Sequence, residues 1–211
     1  MKQQSFPVVP AIVLAWGAVT IGAFWHMVAR YLRPVEPPAG AATLYPEQAP
    51  RSPVTVLHTD QGPVSLRGPM PVTLLNFWSP DCPCSRFMEG HVRRLVATHA
   101  EQVRFITVVE GNPGSEADTL IEKWRQRGIS APAATDPDGA IARAFGVWAA
   151  PAAVVLDVRG RVVFVGAYNA ARYCDDPRTA FAAQALNAVL HGEQVPRPRT
   201  PFYGCQVLPA R

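Results

Sequence analysis

The sequence predicts an α/β domain carried behind an N-terminal transmembrane helix, on three observations. From Val54 onward the apolar residues switch repeatedly between strand-like and helix-like spacing, the pattern of an α/β fold. From Phe6 to Ala29 there is no Lys, Arg, Asp or Glu. Prolines, 22 in all, gather between these regions and at the end of the chain, with six in residues 34–53 and four in residues 196–209. A length of 211 residues suits one ordinary domain with attachments, and 48% hydrophobic against 17% charged residues excludes disorder as a whole-chain description. The net charge of +4 divides evenly about residue 53, so the folded part is nearly neutral. It has no basic stripe beyond Arg93 and Arg94, which argues against a nucleic-acid partner.

Taken in order, residues 1–33 form the predicted anchor. The stretch Ala11 to Val28 is apolar apart from Thr20 and His26, close to the roughly 20 residues a bilayer requires. A cleaved signal peptide fits less well, because the apolar core runs into His26-Met27-Val28-Ala29-Arg30 without an A-x-A-like site. Lys2 and the amino terminus stand on one side and Arg30 and Arg33 on the other, so the positive-inside rule does not choose an orientation. Residues 34–53 read as an extended Pro-rich spacer and residues 54–192 as the domain. Residues 193–211 read as a Pro-rich tail.

Within the domain, Val72 to Trp78 suits a central strand buried on both faces. Ser85 to Ala100 follows as a helix with Met88, Val92, Leu95 and Val96 on one side. Val103 to Val109 is a strand, Glu116 to Arg127 a helix, and Ala140 to Phe145 a short helix entered through Asp136-Pro137-Asp138. Ala152 to Asp157 and Val162 to Val165 flank a hairpin turn at Val158-Arg159-Gly160-Arg161. Asp176 to Leu190 closes as a helix, with Pro177 in its first turn and Gly192 after its end.

The chemistry concentrates where the first strand meets its helix, in Asn76-Phe77-Trp78-Ser79-Pro80-Asp81-Cys82-Pro83-Cys84-Ser85-Arg86-Phe87. A cysteine at a helix start faces free backbone N–H groups and the positive end of the helix dipole, which favour the reactive thiolate. Arg86 adds to that field and Asp81 opposes it. Cys82 and Cys84 are one residue apart, and two arrangements follow. A disulfide across Pro83 is the expected one, with Pro83 holding the dipeptide out of the helix and Ser85 capping it. In the other, both cysteines lie on the first helical turn, where i and i+2 point apart, and Cys82 needs a resolving thiol elsewhere.

Over about residues 54–192 the chain resembles the thioredoxin superfamily. The likeness rests on the strand, Phe77-Trp78 and the helix-start cysteine, and again on Phe145-Gly146-Val147-Trp148-Ala149-Ala150-Pro151 leading into an apolar strand and hairpin. The resemblance implies a thioredoxin-like central mixed sheet flanked by helices, with Ala150-Pro151 cis beside Cys82 and presenting backbone to a bound partner strand, so that Pro151 belongs to the catalytic set. It implies Cys82 as the attacking cysteine, Cys84 as its resolving partner in a C-x-C variant of the usual C-x-x-C, and Trp78, Pro83, Ser85, Arg86 and Ala150 as supporting residues. Thioredoxin carries a buried Asp before the Phe-Trp pair, and here that position is Asn76, as in many membrane-tethered relatives of the bacterial envelope. The implied function is a membrane-anchored thiol–disulfide oxidoreductase acting on protein thiols or disulfides, in a single-pass inner-membrane protein with a periplasmic domain. No organic cofactor is implied, since the sequence has no Gly-rich phosphate loop.

Four cysteines allow three pairings. The sequential one, Cys82 with Cys84 and Cys174 with Cys205, ties the tail to the domain and suits an oxidising compartment. The alternative makes Cys174 or Cys205 the resolving partner of Cys82. A second function class remains, a copper chaperone of thioredoxin-like fold that uses Cys82, Cys84 and His58 or His91, since soft thiolates suit Cu(I). A third is a peroxiredoxin-like peroxidase, for which Ser79 stands three residues before the attacking cysteine.

Overall fold

The computed structural model describes residues 8–41, 43–48 and 50–208. Lys2, on which the orientation argument partly rests, and the last residues of the tail lie outside the described residues. The chain divides at Arg33 and Pro34 into two compact units. The first is the helix α1 (Val8–Leu32), of 25 residues with none buried. Among the described residues it is the one helix long and apolar enough to cross a membrane, and a signal sequence meets the same test.

The second unit is an α/β domain. Its elements are β1 (Val56–Thr59), β2 (Gly62–Ser65), β3 (Val72–Trp78), α2 (Pro83–His99), β4 (Val103–Glu110), α3 (Ala117–Arg125), β5 (Ala133–Asp136), α4 (Ala140–Ala144), β6 (Ala149–Ala150), β7 (Ala152–Leu156), β8 (Val162–Gly166), α5 (Phe181–Leu190) and β9 (Cys205–Gln206). Five strands form the central sheet in the order β5-β4-β3-β7-β8. β3, β4 and β5 run parallel, and β7 and β8 are antiparallel to their neighbours. This is the thioredoxin-like mixed sheet.

β3 reads as a continuous apolar run because both of its faces are covered. Leu74 and Trp78 join residues of α2, α3 and α5 on one face, among them Met88, Trp124 and Leu186. Leu75 and Phe77 join Leu57, Leu66, Ala142, Trp148 and Phe202 on the other. A buried polar chain crosses the first face. The Tyr168 hydroxyl donates to Asn76 Oδ1 at 2.9 Å, and Asn76 Nδ2 donates to Thr107 Oγ1 at 3.2 Å. Burial drives the Tyr168 phenol far above its ordinary pKa, so it stays a neutral donor.

Three elements differ from the sequence reading. α2 starts at Pro83 rather than Ser85, because proline at the first helical position loses no bond the helix would have made. The last helix starts at Phe181, and Pro177–Thr179 forms a separate 3-10 turn capped by Asp176. Residues 34–53 are not a free spacer: Val35, Ala41 and Leu44 pack on the second core, and Pro46 and Ser52 are buried. The reason lies in the edge strand β8, whose unpaired backbone groups need partners. The Val162 N–H donates to the Pro50 carbonyl at 2.8 Å, and the Val165 N–H donates to the Pro198 carbonyl at 3.0 Å. Linker and tail thus share the cover of one sheet edge.

The tail is built into the same core. Phe202 is fully buried, with its ring centroid 4.4 Å from that of Trp148. Phe202→Ala is expected to cost about 3–5 kcal/mol, as for other buried aromatic residues. Urea unfolding of the whole domain reads this, and an unchanged midpoint would show the tail to be an appendage.

Candidate active site

The site lies where β3 ends. Cys82 is the N-cap of α2, in extended backbone, and its carbonyl accepts the first helical bond from the Arg86 N–H at 3.2 Å. Its side chain is 1% exposed. Across from it, β6 leads into the Ala150–Pro151 peptide, which is cis, and Cys82 Sγ lies 3.4 Å from the Ala150 carbonyl oxygen. The two segments that the sequence reading singled out separately therefore meet at one sulfur.

The disulfide is not the expected one. Cys82 is bonded to Cys205, 123 residues away, with a Cα–Cα distance of 5.8 Å, while Cys84 and Cys174 are free. Neither the Cys82–Cys84 nor the Cys174–Cys205 pairing is present. Pro83 opens the helix instead of holding the dipeptide out of it, so Cys84 is already helical and turned inward, 2% exposed. Cys174 sits beside the α2 face of the sheet, where its thiol donates to Asn169 Oδ1 at 3.2 Å. The tail begins on that same side, with Val195 in its core, but from Phe202 to Leu208 it packs on the opposite face, on Trp148, where Cys205 is held away from Cys174.

Cys205 is held by backbone. β9 pairs antiparallel with β6, Ala150 opposite Cys205 and Ala149 opposite Gln206, and the Val207 N–H donates to the Trp148 carbonyl at 3.0 Å. Gly204 makes this approach possible: a Cβ there would stand 1.9 Å from the Ala150 carbonyl oxygen. The sulfurs of Cys82, Cys84 and Cys205 all lie within 4.8 Å of one another.

The supporting residues divide by role. The Trp78 indole N–H donates to Glu89 Oε1 at 3.1 Å, fixing the ring beneath the site. Ser85 does not cap the helix; its buried hydroxyl accepts from the Ser79 N–H at 3.2 Å and ties the loop to the first turn. The Arg86 guanidinium donates to the Pro80 carbonyl at 3.0 Å, bracing the same loop. Asp81 is exposed and faces Lys123 at 3.9 Å and the Asn112 amide at 3.4 Å, so its charge meets a cation away from the sulfurs. His58 and His91 take no part. His58 is exposed on β1, and His91 Nδ1 is 2.8 Å from Asp175 Oδ1, while the other oxygen of that carboxylate holds Arg94.

One group escaped the sequence reading. Glu110 ends β4, where Val109 pairs with Trp78 and Glu110 with Asp136. It is 1% exposed, and among the described residues neither carboxyl oxygen has a hydrogen-bond partner. Burial, then the nearby Asp136 and Asp138, push its pKa well above the usual carboxylate range. Asp136 is raised less, because burial is opposed by the N–H groups of Ala142 and Ile141, whose helix it caps. An acid closing an apolar strand was the available signal.

Residues 48–207 match the family described as Domain of unknown function (DUF6436), and the chain belongs to that family. No curated protein matches it in sequence. Among solved structures it is similar to an uncharacterized conserved protein from Geobacillus kaustophilus at 20% identity and a TM-score of 0.64, covering 76% of this chain and 90% of that one. It is also similar to a hypothetical protein from Sinorhizobium meliloti 1021 at 20% identity and a TM-score of 0.63, covering 83% and 100%. A looser likeness, at a TM-score of 0.47 and 21% identity over 56% of this chain and 82% of that one, is to a putative Thiol:disulfide interchange protein DsbE from Chlorobium tepidum. The first two of these likenesses establish the fold.

Glu110 gives a pH-dependent expectation. Its pKa is raised in the folded state, so folding holds the proton more tightly, and stability falls as pH rises from the ordinary carboxylate range toward the folded value. Glu110→Met removes the orphaned oxygens and is expected to stabilise the domain by about 1–3 kcal/mol. Urea unfolding at pH 5 and pH 8 should show a larger gain at pH 8, whereas equal gains would place the ionised form elsewhere.

Proposed function

We propose that this member of the DUF6436 family is a thiol–disulfide oxidoreductase that exchanges electrons with protein partners, held at the membrane of the bacterial cell envelope by α1. One observation carries the reading. A buried cysteine at a helix N-terminus, facing the carbonyl that precedes Pro151, is in a disulfide whose other half lies on the two-residue tail strand β9.

The chemistry balances with Cys82 and Cys205 as the redox pair. In the reduced chain the Cys82 thiolate, favoured by the helix start, attacks one sulfur of a partner disulfide, and the other partner sulfur leaves as a thiolate. The Cys205 thiolate then attacks Cys82 Sγ in the mixed disulfide and expels the second partner sulfur. The partner leaves as a dithiol, two electrons richer, and the chain is left with the Cys82–Cys205 bond. A dithiol donor restores the reduced chain, and against a stronger oxidant the same steps run backward. Cys205 thus takes the resolving role that the sequence reading gave to Cys84. Pro151 and Ala150 form the wall against which the partner's sulfur is presented.

A second reading has its own observation. Three cysteine sulfurs within 4.8 Å offer a soft ligand set for Cu(I), with Cys205 in the place given to His58 or His91. It requires the reduced chain, because a disulfide presents no thiolates. On this reading reduced protein takes up one Cu(I) per chain, and Cys205→Ser weakens the binding while His58→Ala leaves it unchanged.

The oxidoreductase reading is tested by equilibrating the full chain in glutathione buffers and trapping thiols with a mass tag. One reversible two-electron couple is expected, lost in Cys82→Ser and in Cys205→Ser. The Cys82 thiol should alkylate with a midpoint below the free value of about 8.5. A couple that survives Cys82→Ser, or tight copper binding with no exchange activity, would overturn it.

A further inference from the structure

The tail does more than supply a thiol, because it occupies a strand position with strict steric limits. Cys205 lies opposite Ala150 in antiparallel register, and the next backbone bond along the ladder is from the Val207 N–H to the Trp148 carbonyl. Immediately before the cysteine, Gly204 passes so close that a Cβ would stand 1.9 Å from the Ala150 carbonyl oxygen and 2.6 Å from the carbonyl carbon. Both are backbone atoms of the cis Ala150–Pro151 peptide and cannot move aside as a flexible side chain would. Three residues before the cysteine, Phe202 is fully buried against Trp148, and three after it Leu208 is 5% exposed in the same core. The segment Phe202 to Leu208 is therefore read by the domain as an aromatic residue, a glycine–cysteine pair and a leucine.

We infer that the tail is the built-in occupant of the strand position beside Ala150, and that a partner segment accepted there carries glycine directly before its cysteine. The inference rests on the oxidoreductase reading, since partner and tail must both bond to Cys82 in turn. A partner strand can lie beside Ala150 only when β9 has left, and β9 can return only when the partner leaves. The attack of Cys205 on the mixed disulfide and the ejection of the partner strand are thus one event. The same backbone contact that admits Gly204 rejects any side chain before the partner's cysteine, because a strand bonded to Cys82 in this register passes Ala150 at the same distance. An aromatic residue three before the cysteine gains the Trp148 face once Phe202 has withdrawn.

The test uses a peptide of residues 199–208 whose cysteine carries a thionitrobenzoate group through a disulfide. The Cys82 thiolate attacks the peptide sulfur, and thionitrobenzoate departs as a coloured thiolate that reports the rate. With the reduced full chain carrying Cys205→Ser, the Gly–Cys peptide is expected to react at least tenfold faster than the same peptide with Ala before the cysteine. The ratio is read as well on the reduced, unsubstituted chain, so the inference does not depend on the variant's folding. Free dithiobis(nitrobenzoate), which makes no strand contacts, is the comparison, and Cys82→Ser, which leaves the thiols of Cys84 and Cys174 in place, should remove the difference between the two peptides. Equal rates for the two peptides, with dithiobis(nitrobenzoate) still reactive, would overturn the strand-site inference and leave the oxidoreductase reading standing. A Cys82 that reacts with none of the three would overturn both.

Discussion

The backbone of the tail lies against Ala150 with no room for a side chain between them, and the architecture of the site depends on that contact. A sulfur–sulfur bond over a loop of 123 residues forms only if both ends are delivered to the same place. Cys82 is delivered by β3 and the start of α2, elements of the central fold. Cys205 is delivered by two residues of antiparallel pairing and by Phe202 wedged on Trp148. The disulfide is the result of this placement rather than its cause. The backbone pairs and buried rings account for the position of Cys205 without it.

Much of this was legible in the residues. The apolar run of β3, the helical spacing of α2 and the hairpin around Gly160 gave strands and helices close to their observed limits, because each carries its own period. The joining of Cys82 to the Ala150–Pro151 segment was legible as well, through two motifs that resemble a known family. β5 was harder to see: Ala133-Ala134-Thr135-Asp136 has little strand propensity and becomes a strand only because β4 offers a parallel edge. The packing of residues 34–53 on the domain was hidden for a related reason, since proline-rich chain has no period and its backbone partners belong to β8. The cysteine pairing was hidden most deeply. Spacing along the chain says nothing of which face of a sheet a tail will follow, and that face separates Cys205 from Cys174.

The polar interior shows how the fold handles groups that water no longer serves. Asn76 has two neighbours, Tyr168 and Thr107, and between them both ends of its amide are used. Glu110, a short way along the same sheet, has none among the described residues, and burial pushes its pKa up, toward the neutral form. One site satisfies its atoms by bonding, and the other leaves its oxygens unbonded and disfavours their charge. The contrast locates the costly group next to the loop that carries Cys82, where Asn112 touches Asp81.

Three sulfurs in mutual reach impose a parity on the site. One bond within the trio always leaves one member over, so the oxidised chain is not a single covalent species by composition alone. Cys82–Cys205, Cys82–Cys84 and Cys84–Cys205 have the same mass and the same electron count, and differ only in which thiol is left. Interconversion among them consumes no oxidant and needs only a proton transfer and a shift of one bond. A voltage or a buffer ratio therefore addresses the trio as a whole, while the backbone pairing that places Cys205 opposite Ala150 selects the Cys82–Cys205 isomer.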